Sequence, residues 1–313
     1  IVPAVSFIAT SNIVLHNNLT PVFVDVEKDT YNINPDLIEE KITSKTRAVI
    51  PVHLFGLPAD MSSIIKICQK HNLRLIEDSC ETMFANYKGK KVGSFGDIGC
   101  FSTYIAHFLV TGVGGLCTTN DPDLAVILRS LMNHGRDSIY LSIDDDNKTG
   151  YQLFQVVEKR FKFVRLGHSF RATELESAIG LGQLEQKNKI ISKRRANARY
   201  LTRGLQNLEE HLQLPYIPDD REHNFMMYPV VVKKGDKKNL VHFLEENLIE
   251  TRDMMPLVNQ PIYVKLFGKI EDEFPVAKWI NKNGFYIGCH QYLTKDELNY
   301  VIAKFHQFYK RNE

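Results

Sequence analysis

The first 120 residues alternate short apolar segments with segments whose apolar positions recur at helical spacing. The apolar segments predict β-strands at 21–26, 48–55, 73–76, 96–103 and 114–119. The intervening patterns predict helices at 35–42 and 60–71, the second of them capped by Asp60. Such alternation is typical of βαβ units, so the sequence predicts an α/β fold with a mostly parallel sheet.

The pattern changes further along the chain. Helical spacing predicts helices at 122–133 and 172–204, and the basic run 193–195 is expected on an exposed helix face. The acidic stretch 144–150 predicts a solvated loop. From about residue 205 strands and helices follow in an α+β pattern, predicted as strands at 225–232 and 285–289, a helix at 238–247 and a final helix from Thr294.

Thr294 and Glu297 have the spacing of a capping box, which supports a helix start there. The two patterns together predict a large α/β domain over residues 1–204 and a small C-terminal α+β domain over residues 205–313. A chain of 313 residues is long enough for both.

Composition excludes several classes of partner. The formal net charge is +2, so nothing indicates nucleic acid or an anionic membrane surface. No apolar segment reaches the roughly 18 residues of a membrane span. No secretory signal is visible. We therefore expect a cytoplasmic protein.

The five cysteines are scattered through apolar segments, which predicts reduced, buried thiols. They are Cys68, Cys80, Cys100, Cys117 and Cys289. Neither a C-x-x-C motif nor a matching histidine pair is present, so we expect no metal site.

One stretch, residues 75–115, carries polar groups that the fold pattern does not require. It opens with an apolar run ending in the pair Glu77 and Asp78, and it closes with a glycine-rich turn. His107 lies just before that turn in an apolar context. Ligands of open parallel sheets gather outside the carboxyl ends of strands, and Asp78 is expected two residues past such an end. We predict that Asp78 and His107 face the same small molecule.

The motifs of this stretch resemble the DegT/DnrJ/EryC1/StrS family of sugar aminotransferases. The likeness runs from VPAVSFIAT near the start to HQYLTKDEL near the end, and the ordered series carries it: an ED pair, YKGKKVGSFGDIGCFS and a glycine-rich turn. Where the family has a lysine, this chain has His107. That replacement resembles the nucleotide-sugar 3-dehydratase branch, above all the GDP-4-keto-6-deoxymannose 3-dehydratases.

The resemblance implies a fold-type I pyridoxal-phosphate enzyme with an aspartate aminotransferase-like fold. It further implies a homodimer with sites at the interface. It also implies a family segment upstream of Ile1 that supplies part of the phosphate contacts.

By this resemblance, Asp78 pairs with the protonated pyridine nitrogen of the cofactor and makes the ring a better electron sink. Taken alone, Asp78 fits a helix cap or a surface carboxylate as well. Glu81 stands where the aminotransferases usually have a glutamine at the phenolic oxygen of the cofactor. A glutamate there again resembles the 3-dehydratase branch.

A lone histidine in an apolar stretch is more often a satisfied core residue, and the resemblance changes that weighting for His107. It occupies the position of the lysine that forms a Schiff base with the cofactor. Histidine cannot hold the aldehyde in this way, yet it can act as general acid and base near neutral pH. We therefore expect pyridoxal 5′-phosphate to be held non-covalently, with pyridoxamine 5′-phosphate as the working form.

Further cofactor contacts follow from the resemblance. Ser102 matches the serine that donates to the phosphate, and Phe7 matches the aromatic that stacks on the pyridine ring. Otherwise they would be an ordinary strand serine and a core phenylalanine. In the motif GHSFRATELESAIGLGQL, Ser169 replaces an asparagine that reaches the phosphate of the neighbouring subunit. Val113 replaces a glutamate of the glycine-rich turn formed by Gly112, Gly114 and Gly115.

Arg171 and His290 are candidates for reaching the sugar, although a structural role fits Arg171 equally well. His53 and His168 also occupy motifs similar to those of the family, and both remain possible neighbours of the site.

A sister branch of histidine-bearing dehydratases carries a [2Fe–2S] cluster, which needs four thiolates. Cys80 stands at the first cluster position of that branch. The other ligands would follow the GRD motif at 135–137, where this chain has Ser138, Ile139 and Tyr140. We therefore expect no iron–sulfur cluster.

The sequence thus predicts 3-dehydration of a nucleotide-linked 4-keto-6-deoxy sugar, with His107 as acid and base and glutamate as the amino donor. Two alternatives stay open. One is a nucleotide-sugar aminotransferase that works without the lysine. The other is a non-catalytic homologue that binds a sugar nucleotide or a partner subunit.

Overall fold

A computed structural model describes residues 1–137 and 147–311. The helices of this part are α1 (Ala9–His16), α2 (Met61–Lys70), α3 (Pro122–Leu131), α4 (Gly150–Lys159), α5 (Glu174–Glu185), α6 (Lys187–Leu205), α7 (Lys237–Glu246), α8 (Pro261–Phe267), α9 (Pro275–Asn283) and α10 (Lys295–Arg311). The strands are β1 (Val2–Pro3), β2 (Phe23–Val24), β3 (Ala48–Val49), β4 (Arg74–Asp78), β5 (Asn86–Tyr87), β6 (Lys90–Lys91), β7 (Ile98–Ser102), β8 (Gly115–Thr118), β9 (Leu212–Gln213), β10 (Tyr228–Val232), β11 (Thr251–Asp253) and β12 (Gly284–Ile287).

The first sheet has the order β3-β4-β7-β8. Strands β3, β4 and β7 are parallel, and β8 returns antiparallel to β7. The parallel pair β1 and β2 adjoins β3, since Ile50 N–H donates to the Ile1 carbonyl over 2.9 Å. The prediction of a mostly parallel α/β sheet is confirmed.

The second sheet has the order β11-β12-β10-β9 and is antiparallel throughout. Its core joins Tyr228, Phe285 and Phe305 to Ala198 and Leu201 on α6. Helix α6 therefore ends at the predicted boundary between residues 204 and 205, yet it packs on the second sheet. The division into two domains at that point stays a prediction.

A shared core ties the two ends of the chain together. Val2 and Phe23 pack in one cluster with Tyr263 and Ile280. The buried Asp25 accepts the N–H groups of Val276 (2.8 Å, Oδ2) and Ala277 (2.9 Å, Oδ1) at the start of α9. Since the preceding residue of α9 offers no side-chain cap, Asp25 satisfies these N–H groups from across the fold.

Several predicted elements are shorter than expected. The predicted helix at 35–42 is two 3-10 turns, Pro35–Leu37 and Glu39–Lys41. Ile38, between the two turns, is completely buried. Both turns close through i→i+3 hydrogen bonds. The predicted strand at 48–55 ends at Val49 and passes into a turn at Leu54–Gly56.

Other predictions agree with the structure. Asp60 caps α2 by accepting the Ser63 N–H over 3.2 Å. The helical stretch 172–204 is present, although it divides into α5 and α6 at Gln186. Thr294 and Glu297 form the expected reciprocal hydrogen bonds at the start of α10.

Two expectations about burial were wrong. Cys117 is exposed, whereas Cys68 and Cys289 are buried, and all five cysteines are free thiols. The run 193–195 is not a uniformly exposed helix face, because Arg194 is buried in α6. Of the predicted acidic loop, Asp144, Asp145 and Asp146 lie outside the described residues. None of the helices described here is long and apolar enough to span a membrane.

Candidate functional site

Asp78 is the last residue of β4 and pairs in register with Cys100 of β7. It was predicted two residues beyond a strand end, so the strand is longer than expected. Its Oδ2 accepts the Thr10 hydroxyl over 2.7 Å, and its Oδ1 accepts the Cys80 N–H over 3.2 Å. The Thr10 hydroxyl also lies 2.9 Å from that of Ser6. These contacts hold a half-buried carboxylate at the carboxyl end of the sheet.

Its neighbour Glu77 has a different role, because successive side chains of a strand point to opposite faces. The Glu77 carboxylate is buried and accepts the N–H groups of Gly93 (2.7 Å) and Gly96 (2.8 Å). Burial raises the pKa of Glu77, but hydrogen bonds from His53 and this backbone outweigh it, and the pKa is lowered. Glu77 therefore anchors the turn before β7.

The His53 ring lies in the core, while its backbone N–H donates to the Asp78 carbonyl over 2.9 Å. It is fully buried, with Nε2 lying 3.2 Å from Glu77 and Nδ1 accepting the Ala59 N–H over 3.0 Å. Both ring nitrogens are thus satisfied inside the core.

Glu81 is buried close to Asp78. Its Oε2 accepts the Phe55 N–H over 2.7 Å. Burial raises the pKa of Glu81 to about 8, and the Asp78 carboxylate acts in the same direction, while the Phe55 N–H opposes it. Glu81 is therefore largely protonated at neutral pH and can donate a hydrogen bond.

His107 lies in the connection after β7. Its Nδ1 is 3.3 Å from the hydroxyl of Ser102, the last residue of β7. The backbone N–H of His107 donates to the Tyr104 carbonyl over 2.9 Å. The same hydroxyl accepts the Tyr104 N–H over 3.2 Å. Burial lowers the pKa of His107, partly offset by the Tyr104 backbone and by Asp78. The imidazole is therefore neutral at pH 7, and in the described part of the chain its Nε2 has no hydrogen-bond partner.

The glycine-rich turn leads from this connection into β8. Gly112 and Gly114 have φ angles of +88° and +136°, which L side chains rarely adopt. A Cβ on Gly114 would lie 2.9 Å from the hydroxyl oxygen of Thr103. Val113 between them is exposed. The turn therefore depends on its glycines, and the side chain at 113 points away from the core.

Phe7 lies between β1 and α1 with 60% of its surface exposed. A core role is thereby excluded. Phe7 directly follows Ser6, whose hydroxyl contacts that of Thr10, the residue that donates to Asp78.

Ser169 and Arg171 lie apart from this group. Ser169 is exposed and bridges to Asn133, while Arg171 Nη2 lies 3.5 Å from Nε2 of His134. Among the described residues, no hydrogen bond joins either of them to the carboxylates or to His107. The preceding His168 stacks on Phe170 with ring centroids 4.7 Å apart.

His290 lies in the loop after β12 and is exposed. Its Nδ1 accepts the Tyr292 N–H over 3.2 Å, and its carbonyl accepts the Asn197 side-chain amide over 2.8 Å. Burial lowers the pKa of His290, and the Arg194 charge lowers it further. The ring is available to a ligand, and its backbone is fixed by α6.

Sequence reasoning missed Thr10. Thr10 lies in the first turn of α1, whereas Ser6 lies before the helix begins, so helical spacing does not relate the two hydroxyl groups. No local pattern in the sequence therefore marked this pair as support for a carboxylate.

The side chains grouped here suit a pyridoxal-type cofactor. Asp78 is a carboxylate supported by a hydroxyl, Ser102 offers a hydroxyl, Glu81 can donate a hydrogen bond and Phe7 presents an open ring. In the residues that the structure describes, no group of three or more His, Cys, Asp or Glu side chains could hold a metal ion.

Comparison with known proteins supports this interpretation. The model of the DegT/DnrJ/EryC1/StrS aminotransferase family matches residues 1–306. The chain is 35% identical to the lipopolysaccharide biosynthesis protein RfbH of Salmonella typhimurium, covering 99% of this chain and 73% of the relative. It is 32% identical to a GDP-perosamine synthase of Caulobacter vibrioides (98% and 78% covered) and 32% identical to a GDP-4-keto-6-deoxy-D-mannose 3-dehydratase of Escherichia coli (96% and 78% covered).

Solved structures agree with the sequence comparisons. A histidine-to-asparagine mutant of a GDP-4-keto-6-deoxymannose-3-dehydratase with bound GDP-perosamine superposes with a TM-score of 0.85 at 29% identity, over 97% of this chain and 79% of that one. The Escherichia coli GDP-4-keto-6-deoxy-D-mannose-3-dehydratase with bound hydrated PLP gives 0.84 at 29% identity, over 97% and 78%. The chain therefore belongs to the DegT/DnrJ/EryC1/StrS aminotransferase family, with a fold-type I architecture and pyridoxal or pyridoxamine 5′-phosphate as its cofactor.

Proposed function

We propose that this protein catalyses 3-dehydration of a nucleotide-linked 4-keto-6-deoxy sugar, with His107 as the acid and base. The observation that carries the proposal is the placement of a neutral imidazole beside Ser102, at the family position of the lysine. The relative named as a 3-dehydratase and the relative named for lipopolysaccharide biosynthesis support a role in deoxysugar supply.

The cofactor, when bound, supplies an electron sink for the carbon atoms of the sugar. Asp78 would face the pyridine nitrogen, because it is a supported carboxylate at the strand end. Ser102 would contact the phosphate, and Phe7 would stack on the ring. Glu81, protonated below about pH 8, would donate to the phenolic oxygen as the glutamine of aminotransferases does in the resembling family.

The proposed work of His107 is proton transfer at Nε2. The neutral ring accepts a proton there, and the resulting imidazolium delivers it to the C3 hydroxyl group as that group leaves. Since Nδ1 is engaged with Ser102, the reacting nitrogen has a fixed orientation. Glutamate is the proposed amino donor that restores the amine form of the cofactor.

A large exposed apolar surface supports a homodimer. Monomeric proteins rarely expose such contiguous patches. Beside β7, β8 and α5 lies a groove of about 520 Å³. The exposed apolar side chains that line it are Val113, Leu116, Leu181 and Leu184. Leu175 and Ile179 of α5, and Leu166 and Phe170 of the segment before it, are exposed as well. We propose that a second copy covers this surface.

This arrangement would explain the two predicted residues that lie apart from the site. Ser169 and Arg171 belong to the same exposed region. In a homodimer they would serve the site of the neighbouring subunit, as the corresponding family asparagine does by resemblance. His290 is proposed to approach the sugar from the second sheet.

One observation favours a sugar aminotransferase instead, namely the 32% identity to a GDP-perosamine synthase. That reaction requires proton transfer and release of product from the cofactor without the family lysine. The replacement of this lysine by His107 weighs against it, so we place the dehydratase first.

The product mass decides between these functions. The protein is incubated with pyridoxal 5′-phosphate, glutamate and GDP-4-keto-6-deoxymannose, and the nucleotide sugar is examined by mass spectrometry. A product lighter by one oxygen atom supports the dehydratase. An amine in place of the ketone identifies the aminotransferase. An unchanged sugar together with no cofactor absorbance identifies a non-catalytic homologue.

A further inference from the structure

Arg194 is the most deeply buried arginine of α6, with 6% of its surface exposed. Its Nε donates to the Gln291 side-chain oxygen over 3.0 Å. Its Nη1 donates to the carbonyls of Phe225 (3.2 Å) and Met226 (2.8 Å). The guanidinium also lies over the ring of Phe108 at 5.1 Å from its centroid.

These partners are neutral. Among the described residues, no carboxylate forms an ion pair with Arg194, and burial lowers the pKa of its guanidinium. A buried cation is costly unless its donors are satisfied. Arg194 meets this cost with two carbonyls, one amide oxygen and a ring face, a set of partners that suits a planar guanidinium.

The partners of Arg194 come from three separate segments that meet at the site. Phe108 directly follows His107 and is buried with Met83 and Leu109. Met226 packs against the same cluster, and its N–H donates to the Phe55 carbonyl over 3.1 Å. The Phe55 N–H in turn donates to Glu81. Arg194 is thus linked through these contacts to the residues around His107 and to those around Glu81.

The other end of the guanidinium reaches the loop that carries His290. Gln291 is the next residue, and the His290 carbonyl accepts the amide of Asn197, one turn beyond Arg194 on α6. Cys289 Sγ donates to the Arg194 carbonyl over 3.5 Å. Helix α6 therefore holds this loop and the His107 connection at a fixed separation.

We propose that Arg194 is a positioning residue that sets the placement of the His107 ring through Phe108 and ties it to the loop of His290. The inference rests on the proposed role of His107 as acid and base. A lysine would keep the charge, but one ammonium cannot reach two carbonyls, an amide oxygen and a ring face in this geometry.

The test measures the titration of His107 in the full-length, cofactor-loaded protein by NMR of ring-labelled histidine, with His107→Asn assigning the resonance. The groups that face this ring are Asp78, Ser102 and Tyr104. The variants are Arg194→Lys and Arg194→Met. Arg195→Lys and Arg195→Met are matched controls, because Arg195, the next residue of α6, is half-buried and donates to Glu222 and Asn224 instead.

We expect both Arg194 variants to raise the His107 pKa by about half a pH unit or more, because a displaced ring loses the burial that lowers it. The Arg195 variants should leave it unchanged. A rise in Arg194→Met alone would overturn the proposal, since charge and not position would then be responsible. An unchanged His107 titration in both variants, with a lower melting temperature, would also overturn it by showing a purely structural role.

Phe108→Leu removes the ring that the Arg194 guanidinium contacts. This variant tests the positioning role of Arg194 if Arg194→Met does not fold. We expect it to raise the His107 pKa in the same direction, and an unchanged value would contradict the proposal. The readout needs no substrate. If wild-type protein converts no nucleotide sugar, the proposed function fails while the titration still decides the role of Arg194.

Discussion

The Ser102 hydroxyl and the imidazole of His107 meet at 3.3 Å between Oγ and Nδ1. The hydroxyl oxygen already accepts the Tyr104 N–H, and its own hydrogen can face a phosphate. If that hydrogen faces a phosphate, Nδ1–H would donate to Ser102 and the lone pair of the ring would lie on Nε2. That tautomer would suit the acid–base role proposed for His107.

His107→Asn is expected to lower 3-dehydration by about 10²–10⁴-fold, because the variant loses general acid–base catalysis. Cofactor binding should remain close to that of the wild type, since asparagine leaves Asp78 and Ser102 in place. Mass spectrometry of the nucleotide sugar and cofactor absorbance check the two parts. Full 3-dehydration activity in the variant would contradict the proposed role of His107 as acid and base.

The pH dependence of kcat/KM should be bell-shaped. In the proposed mechanism His107 is a neutral base, so activity should be lost as pH falls through its lowered pKa. Glu81 is proposed as a neutral donor, so activity should be lost as pH rises through its pKa of about 8. Glu81→Gln keeps a donor that does not titrate and should therefore remove the alkaline limb. Persistence of that limb in Glu81→Gln would exclude Glu81 as its source.

Glu77→Gln should destabilise the fold by about 1.5–3 kcal/mol, the range for hydrogen bonds to charged groups. The buried carboxylate accepts the N–H groups of Gly93 and Gly96, and an amide offers only one oxygen. Urea unfolding measures the difference. Glu246→Gln, at an exposed position of α7, is the matched control and should stay within about 0.5 kcal/mol.

The effect of Glu77 should depend on pH. Its pKa is lowered in the folded state, so its contribution to stability is present above the unfolded value of about 4.3 and is lost as pH falls through the folded value. The difference between wild type and Glu77→Gln should therefore shrink in acid. A difference that grows below pH 4 would contradict this assignment.

Leu166→Lys should weaken self-association, because Leu166 is 96% exposed within the apolar region assigned to the second copy. Light scattering after size-exclusion chromatography measures the change in mass. Leu248→Lys is the control, since Leu248 is equally exposed (94%) but lies in the turn between α7 and β11. Equal masses for the two variants and the wild type would show that the apolar region is not the interface.

Much of the first sheet could be predicted, because its strands are continuous apolar runs and the ED pair marks the end of β4. The environment of each histidine could not be predicted. His53 and His107 both lie in apolar sequence, yet Glu77 reaches His53 across 24 residues and satisfies it in the core. Contacts between distant segments decide which imidazole stays available, and no local pattern reports them.

Arg194 shows the same limit. Because Lys193 and Arg195 flank it, the simplest interpretation of the basic run was an exposed helix face. Its burial depends on carbonyls at 225 and 226 and on Gln291, which become neighbours only when the second sheet has formed. Ser169 and Arg171 could be placed in a motif, but their proposed contact with a second copy is not a feature that the sequence of one chain reports.

The cap that Asp25 provides to α9 has a consequence for synthesis. Asp25 leaves the ribosome 251 residues before Val276, which corresponds to roughly 10–50 s of translation. During that time the carboxylate has no helix to cap, and Val2 and Phe23 lack the late partners of their cluster. Val2 and Phe23 therefore keep an open apolar surface until the segment that carries Tyr263 and Ile280 has been synthesised. A chaperone that shields this surface during translation should raise the yield of folded protein.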